Sequence, residues 1–279
     1  MPTVSVVVPA YNNAHFIAET LDSILAQTYT DIEVIVADHA STDDTRAIIE
    51  RYAGDPRVAT MTTEAGGGAR RNWNRVSQAA TGTYIKLVCG DDVLYPESIE
   101  RQVRIMESDP TIALVASRRD IVDAHSVPFI KGRGLNRLTG RLPGSRAVRA
   151  TVRAGTNVFG EPACTMIRRD ILEAVGWWDD AHPYLIDETT YARVLLHGDF
   201  IGLPESLAGF RISDTQWSVR LMRQQAEQAA SFHEWIHRER PDIVSGFDKT
   251  VGNLMALRMA LLRRLAYVYL RNRMSRSAR

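Results

Sequence analysis

The feature that most constrains the fold is an apolar run near the N-terminus, Val4–Val8, which ends abruptly in a Pro-Ala-Tyr-Asn sequence. Such a run is typical of a strand buried on both faces, as in a parallel sheet covered by helices. A second run, Tyr84–Val88, leads to two adjacent carboxylates, Asp91 and Asp92. In open α/β sheets, ligands bind beyond the carboxyl ends of the strands. We therefore expect a binding site built from the residues that follow these two runs.

Segments with helical periodicity alternate with short apolar segments over the first half of the chain. Further strands are predicted at residues 32–37, 58–62 and 112–116, with amphipathic helices between successive strands. This alternation predicts βαβ units, and therefore an α/β fold with a mostly parallel sheet flanked by helices. Ser41 and Asp44 have the spacing of a capping box, which predicts that they begin the second helix.

The pattern is less regular in the second half of the chain. Residues 123–160 are rich in Gly and Arg, and we interpret them as a loop-dominated insertion. Regular elements are predicted beyond it, namely strands at 163–167 and 200–210, the latter interrupted by Pro204, and helices at 189–196, 216–240 and 248–273.

Composition limits the classes of function. The net charge is +1 over 279 residues, so the chain as a whole offers no electrostatic case for binding nucleic acid. Two cysteines, Cys89 and Cys164, do not suggest a disulfide framework, and they fit a reducing compartment. We see no signal-peptide pattern and no stretch of transmembrane length, so we expect a cytoplasmic protein that could lie peripherally on the inner face of the plasma membrane.

Acidic side chains follow several predicted strands. Asp38 follows the second strand, Asp91 and Asp92 follow the fourth, and Asp187 and Glu188 come later, before a helix. Parallel strands bring their carboxyl ends to one edge of a sheet, where a nucleoside diphosphate would fit. One carboxylate could contact the base or ribose, and another could hold Mn²⁺ or Mg²⁺ on the phosphates. Such an ion would stabilise the charge on a departing diphosphate.

A set of short motifs occurs in a specific order along about residues 3–215. The landmarks are Val-Pro-Ala-Tyr-Asn at 8–12, the Gln-Thr-Tyr turn at 27–29, the segment 38–45, the strand entry at 82–85, Asp91-Asp92 with Pro96, and Asp187. In this order and spacing the chain resembles an inverting glycosyltransferase of family 2, which has the GT-A fold. The resemblance implies a GT-A domain at residues 1–215, with a donor half to about 118 and an acceptor half from about 119. Residues 216–279 would then form a helical C-terminal extension.

The resemblance also implies roles for individual residues. Pro9 and Tyr11 would line the base and ribose pocket, and Asp38 and His39 would lie beside the nucleobase. Arg71 would sit near the base or phosphates, Asp91 would ligate the metal, and Asp92 would contact ribose or the sugar. Asp187 would be the catalytic base. Residues 211–218 loosely match the mobile loop that covers the donor in this family. The partners implied are a nucleotide-sugar donor, UDP-linked or of another base, and a glycan or glycolipid acceptor.

Two positions depart from the family pattern. His39 stands where the family often has a second acid that pairs with uracil, and an imidazole can donate or accept depending on its tautomer. Cys89 takes the first position of the usual Asp-x-Asp metal motif, so metal ligation would depend on Asp91. The nucleobase therefore stays open.

The implied mechanism is a single in-line displacement. Asp187 would take the proton from an acceptor hydroxyl as that hydroxyl attacks the anomeric carbon, and a base must lie within hydrogen-bond reach of that proton. The nucleoside diphosphate leaves from the opposite face, so the anomeric configuration inverts. Glu188, which adjoins Asp187, is an alternative base, and an acidic pair at a helix start also occurs simply for its interaction with the helix dipole.

Three other functions are open from the sequence. An inactive sugar-nucleotide-binding or scaffold module is favoured by Cys89 in the metal motif. A sugar nucleotidyltransferase would need a Gly-rich phosphate loop after the first strand, and residues 9–12 do not supply one. A zinc hydrolase would use the literal H-E-x-x-H of His233, Glu234 and His237.

The C-terminal segment combines leucines at helical spacing with arginines. Seven arginines and no Asp or Glu occur from Val251 onward, whereas the preceding part carries 27 basic against 33 acidic residues. A helical stripe of this kind usually packs on its own domain or on another subunit, which would make a homo-oligomer. It could also lie on an anionic membrane surface.

Overall fold

The computed structural model describes residues 2–212 and 224–274, with side chains up to Leu265. The strands are β1 (Val4–Ala10), β2 (Ile32–Asp38), β3 (Val58–Thr62), β4 (Tyr84–Leu87), β5 (Val93–Leu94), β6 (Ile112–Val122), β7 (Pro128–Arg133), β8 (Gly140–Leu142), β9 (Thr165–Arg168) and β10 (Asp199–Arg211). The helices are α1 (Ile17–Leu25), α2 (Thr45–Glu50), α3 (Gly68–Gln78), α4 (Ser98–Ser108), α5 (Gly144–Ala154), α6 (Arg169–Ala174), α7 (Ile186–Leu195), α8 (Gln225–Glu239) and α9 (Gly246–Met274), with a 3₁₀ turn at Pro162–Cys164.

The described strands form a single mixed sheet with helices on both faces. The order is β3-β2-β1-β4-β9-β6-β10-β5, with β7 beside β6 and β8 beside β10. The first four strands are parallel, since β1 pairs with both β2 and β4, and β2 pairs with β3. This α/β architecture confirms the predicted fold class.

The buried character of β1 explains why its sequence is continuously apolar. All seven of its residues are buried. Val4, Val6 and Val8 pack in a cluster with α1 and α4, whereas Val7 faces a second cluster on the other side of the sheet. Because successive side chains point to opposite faces, a strand covered by helices on both sides has no solvent-facing position.

The second half of the sheet departs from a parallel arrangement. β9 lies antiparallel between β4 and β6, whereas β10 pairs parallel to β6. The pairing of β10 shifts register between Leu203 and Ser206, around Pro204. Proline cannot donate to the ladder, so a bulge at this position lets the strand continue to Arg211.

The prediction of a loop-dominated insertion at residues 123–160 was wrong. This region contains β7, β8 and the 11-residue helix α5. The buried face of α5 carries Ala147, Val148 and Val152. Its periodicity was missed because arginines fill the intervening positions and two of the buried residues, Gly144 and Thr151, are not strongly apolar.

The capping-box prediction at Ser41 and Asp44 was also wrong. Asp44 occupies the N-cap position of α2 but makes no side-chain cap hydrogen bond. The Ser41 hydroxyl instead accepts a hydrogen bond from the Asn12 N–H at 2.9 Å, and so joins the loops that follow β1 and β2. A serine in a loop can satisfy a tertiary donor as well as a local one, and its spacing alone does not distinguish the two.

The C-terminal helices pack on the second half of the sheet domain. Small residues allow α9 to approach α5 closely, since a Cβ added to Gly155 would lie 2.3 Å from the Ala256 nitrogen. Asp248 at the start of α9 forms ion pairs with Arg149 and Arg153 of α5. The predicted helices are therefore present from Gln225 onward, whereas residues 216–223 of the prediction lie outside the described residues. Within the described helices, none is both long and apolar enough to cross a bilayer.

Candidate active site

The loops after β1, β2 and β4 meet at one edge of the sheet. Ala10 and Asp38 are register partners at the ends of β1 and β2. The Asn13 Oδ1 atom accepts a hydrogen bond from the Tyr11 N–H at 2.8 Å, and a Cβ added to Gly90 would lie 2.8 Å from the same atom. The loop carrying Asp91 is therefore in contact with the loop carrying Tyr11, as expected for parallel strands.

Asp38 offers an unsatisfied acceptor in this region. Its side chain is 3% exposed, and its Oδ1 atom has no hydrogen-bond partner, whereas Oδ2 accepts weakly from the Ser41 N–H at 3.3 Å. A buried carboxylate oxygen without a donor costs free energy, which a ligand N–H or hydroxyl would offset.

The side chains beside Asp38 suit an aromatic ligand. The Tyr11 ring is 50% exposed and lies edge-on to the His39 ring, with 6.0 Å between centroids. His39 is nearly buried, and its Nε2 atom lies 2.9 Å from the Gly66 carbonyl oxygen. If that nitrogen is the donor, the neutral His39 ring keeps Nδ1 as an acceptor.

Arg71 lies outside this cluster. Its guanidinium is bonded to the Glu64 carboxylate at 2.6 Å and to the Ala65 carbonyl at 3.0 Å. The side chain is largely exposed on α3. A contact with donor phosphates would require Arg71 to exchange Glu64 for the ligand.

Three potential metal ligands cluster after β4. Single ligand atoms of Cys89, Asp91 and Asp92 lie within 4.8 Å of one another, and this is the only such group among the described residues. Burial raises the pKa of the Cys89 thiol well above its usual value, and its sulfur is a softer donor than the oxygen ligands that Mn²⁺ and Mg²⁺ prefer. Asp92 is almost fully buried, and its Oδ1 atom already accepts from the Arg211 N–H. Asp91, which is only half-buried, is the carboxylate best suited to a hard cation.

Arg211 holds this loop in place from the end of β10. The fully buried guanidinium donates to the Asp91 carbonyl at 2.7 Å and pairs with the Glu19 carboxylate at 2.8 Å. It also stacks on the Phe16 ring at 4.6 Å. Arg211 therefore belongs to the core of the domain rather than to a mobile loop, and the rest of the predicted donor-covering loop, 213–218, lies outside the described residues.

Asp187 and Glu188 begin α7 with different surroundings. Asp187 is half-buried, and its Oδ2 atom accepts from the Asn157 amide at 2.8 Å. Burial, with a smaller contribution from the nearby Glu161 carboxylate, raises the pKa of Asp187 to about 7. Glu188 is 1% exposed and accepts from the Thr151 hydroxyl at 2.6 Å, and burial raises its pKa to about 8.

One cavity of about 490 Å³ joins several of these groups. Its lining includes Cys89, Asp91, Asp92, Asp187 and Glu188. The other predicted site residues, namely Pro9, Tyr11, Asp38, His39 and Arg71, do not line it. The structure therefore brings the predicted metal motif and the predicted base together in one cavity, with the predicted nucleobase residues at the neighbouring strand ends.

Sequence reasoning missed an ion pair in this cavity. The Arg119 guanidinium in β6 donates to the Glu161 carboxylate at 2.9 Å, and both line the cavity together with Trp73. Arg119 is 7% exposed, and a nearly buried charge on a central strand needs such a partner. The available signal was the charged run Arg118-Arg119-Asp120 inside a strand that is otherwise apolar.

The zinc-hydrolase motif does not form a metal site. His233 lies 2.8 Å from the Asn253 amide oxygen, and His237 lies 2.7 Å from the Val244 carbonyl. Glu234 pairs with Lys249 at 2.7 Å. These contacts hold α8 against α9 and against the turn that joins the two helices, so the motif is explained by helix packing.

Comparison with known proteins identifies the family. The sequence profile described as "Glycosyl transferase family 2" matches residues 5–176, which is more than half of the chain. The chain belongs to glycosyltransferase family 2. An uncharacterized protein of Mycobacterium tuberculosis is 30% identical over 229 residues, covering 79% of this chain and 70% of that protein. The chondroitin synthase of Pasteurella multocida is 38% identical over 116 residues, which are 41% of this chain and 12% of the synthase.

Solved structures support the same fold. TarS of S. aureus in complex with UDP-GlcNAc has a TM-score of 0.68 at 18% identity, covering 85% of this glycosyltransferase and 66% of the TarS chain. The mannosyltransferase PcManGT of Pyrobaculum calidifontis, in complex with GDP-Man and Mn²⁺, has a TM-score of 0.67 at 21% identity. That match covers 96% of this chain and 75% of PcManGT. The predicted GT-A fold is confirmed.

Proposed function

We propose that this glycosyltransferase moves a sugar from a nucleoside diphosphate to an acceptor hydroxyl with inversion, using Asp187 as the base. The observation that carries the proposal is the shared cavity, which Asp187 lines together with Asp91 and Asp92. A donor with its diphosphate near Asp91 would direct its anomeric carbon into the space that Asp187 faces.

The choice of Asp187 over Glu188 is supported by their contacts. Asp187 keeps partial exposure to the cavity, and the Asn157 amide orients its carboxylate. Glu188 is buried and bonded to the Thr151 hydroxyl, so it is poorly placed to reach an acceptor. A general base needs hydrogen-bond reach first and a suitable pKa second, and the raised pKa of Asp187, about 7, suits the role.

We assign donor binding to the side chains at and just after the ends of β1 and β2. Asp38 would accept from the nucleobase through its unsatisfied oxygen, Tyr11 and Pro9 would line the base and ribose, and His39 would contact the base. Asp92 would contact ribose or the sugar, and Arg71 would approach the phosphates after leaving Glu64. UDP-GlcNAc in TarS and GDP-Man in PcManGT make uridine and guanosine donors the first to test.

The residues fit a divalent cation held through Asp91. Oxygen donors of the Asp91 carboxylate and the donor phosphates match the preference of Mn²⁺ and Mg²⁺, whereas the Cys89 sulfur is a softer donor. When bound, the ion would supply charge stabilisation for the departing diphosphate. The chain's own contribution is to hold the Asp91 loop rigidly, through Arg211 and the contact between Gly90 and Asn13.

The domain division proposed is a GT-A domain at 1–215 and a helical extension at 216–279. The acceptor is proposed to be a growing glycan or a glycolipid, since the chondroitin synthase relative makes a polysaccharide.

The function is tested by incubating the protein with UDP-sugars and GDP-sugars, Mn²⁺ and candidate glycan or glycolipid acceptors, and following release of the nucleoside diphosphate. NMR of the glycosylated product then reads the anomeric configuration. Inversion supports the proposal, and retention of configuration contradicts it. Donor binding with no turnover for any acceptor would instead favour the scaffold alternative, which Cys89 in the metal motif suggests.

A further inference from the structure

The outer side of α9 carries a continuous apolar surface. Five leucines of α9 follow one another at intervals of one, three or four residues, and each is between 47% and 68% exposed. We call them the outer leucine face: Leu254, Leu257, Leu261, Leu262 and Leu265. Residues at this spacing share one side of a helix. Isolated exposed leucines are ordinary, but a contiguous stripe of this kind marks an interaction surface.

The helix cannot turn these leucines inward without losing its own packing. Its opposite side carries Gly252, Ala256 and Ala260, which are buried. A Cβ added to Gly252 would lie 2.4 Å from the Val152 carbonyl of α5, so the two backbones are in close contact. The small-residue side is therefore fixed to the domain, and the outer leucine face is fixed toward solvent.

The charged side chains that the C-terminal segment carries from Val251 onward are all positive. Arg258 and Arg264 are exposed on α9 between these leucines. The sequence from Val251 onward contains seven arginines and no acidic residue, whereas the rest of the chain carries an acidic excess. A second copy of the helix would bring arginines against arginines with no carboxylate from this segment to pair them. An anionic surface provides the complementary charge.

The outer leucine face also adjoins the active-site cavity. Leu262 belongs to the face and lines the cavity, together with Met259 and Arg263 of the same helix. Arg263 contacts the Tyr184 hydroxyl and the Thr156 hydroxyl, which ties this part of α9 to the cavity wall. The apolar surface therefore runs from the exposed side of α9 to the cavity that holds Asp187.

We propose that the outer leucine face docks on an anionic phospholipid surface, with its leucines in the interface and Arg258 and Arg264 against the headgroups. Amphipathic helices with apolar and arginine-bearing positions bind membranes in this way. Docking holds the mouth of the cavity at the lipid surface, where a lipid-borne acceptor would reach Asp187. That consequence for the acceptor rests on the proposed function, whereas the docking itself does not.

The test is co-sedimentation of the full chain with vesicles, which does not depend on any transferase activity. We expect binding to vesicles of phosphatidylcholine mixed with phosphatidylglycerol, weaker binding to pure phosphatidylcholine, and loss of binding as salt is raised. Leu257→Ser with Leu261→Ser removes apolar area at constant charge, and should lower the partition coefficient by at least about tenfold. Arg258→Gln with Arg264→Gln removes two charges and should lower it by about 30-fold.

The control is Val127→Ser, which removes a side chain of comparable exposure, 46%, outside α9 and should leave vesicle binding unchanged. Equal melting temperatures would show that all variants fold. The proposal is overturned if the wild-type chain fails to bind the anionic vesicles, or if both double variants bind as well as it does. It is also overturned if light scattering shows a dimer that the leucine variant dissociates while vesicle binding is absent.

Discussion

Asp187 and Glu188 are neighbours in sequence, yet the structure gives their side chains different surroundings. Both residues line the cavity, but Asp187 is partly exposed whereas Glu188 is buried against Thr151. The sequence could not separate them, because both residues occupy the first turn of α7 and both suit the helix dipole. The direction of each side chain, set by the packing of α7 on α5, leaves Asp187 with the partial exposure that the proposed base needs.

The substitution Asp187→Asn should abolish most of the transfer. The amide keeps the size and the hydrogen bond to Asn157 but cannot take a proton, so we expect kcat to fall about 10²–10⁴-fold with little change in nucleotide affinity. Steady-state kinetics and calorimetry measure the two quantities. The matched control Glu188→Gln should retain most activity, and the assignment is wrong if the two variants show the reverse order.

The pH dependence of turnover should report the Asp187 carboxyl. Burial raises its pKa to about 7, so the basic form is lost as pH falls through that value. We expect kcat to rise about tenfold per pH unit below 7 and to level off above it. A rate that is flat, or that falls as pH rises through this range, would contradict Asp187 as the base.

Asp38 provides a test of the donor site. Its Oδ1 atom is buried without a hydrogen-bond partner. Asp38→Ala should therefore change the stability of the free protein little, but a bound base would lose a hydrogen-bond acceptor. We expect nucleoside diphosphate affinity to fall about 10–100-fold by calorimetry, with the melting temperature nearly unchanged. Asp44→Ala makes the same charge change at an exposed position of the same loop. Equal nucleotide affinities for these two variants would contradict the assignment of Asp38 to the donor site.

At the scale of elements, the loops at the strand ends depend on one another. Tyr11, Asn13 and Gly90 form a chain of contacts that links the loop after β1 to the loop after β4. Sequence patterns place each loop at the end of its strand, but they carry no information on contacts between residues that are nearly eighty positions apart. The role of Gly90 therefore emerges only from the folded chain.

The substitution Gly90→Ala should destabilise the protein. Its Cβ would lie 2.8 Å from the Asn13 side chain and 3.3 Å from the Ala10 Cβ, so either the Tyr11 loop or the Asp91 loop must move. We expect the free energy of unfolding in urea to fall by about 1–3 kcal/mol, with weaker nucleotide binding. Gly54→Ala meets nothing within 4 Å and should have little effect. Similar stabilities for the two variants would contradict this account of Gly90.

The N-terminal elements were predictable because their signals are local. Runs such as Val4–Val8 are apolar throughout since both faces of the strand are covered, and the intervening helices show clear periodicity. The signal weakens where burial depends on distant partners. In α5 the apolar face is narrow and arginines occupy the positions between its apolar residues. The sequence of β9 does not indicate that this strand pairs antiparallel between β4 and β6.

At the scale of the whole molecule, the sheet gathers two sets of groups that the sequence keeps far apart. The first half of the chain contributes Asp38 and Asp91 from strand ends, and the second half contributes Asp187 from the start of α7. The family pattern made these residues candidates, but it did not include the ion pair of Arg119 and Glu161, which lines the cavity with Asp91 and Asp187. Its partners are 42 residues apart, and only the sheet order brings them together.

The measurement that tests the central claim most directly is nucleotide binding by thermal shift, with UDP, GDP, dTDP and CDP in the presence and absence of Mn²⁺. A ligand that binds only the folded state raises the melting temperature. We predict a rise with one class of nucleotide that requires Mn²⁺, is lost in Asp91→Asn and is kept in Asp187→Asn. No shift with any nucleotide, or an equal shift in Asp91→Asn, would contradict a metal-assisted donor site at the end of β4.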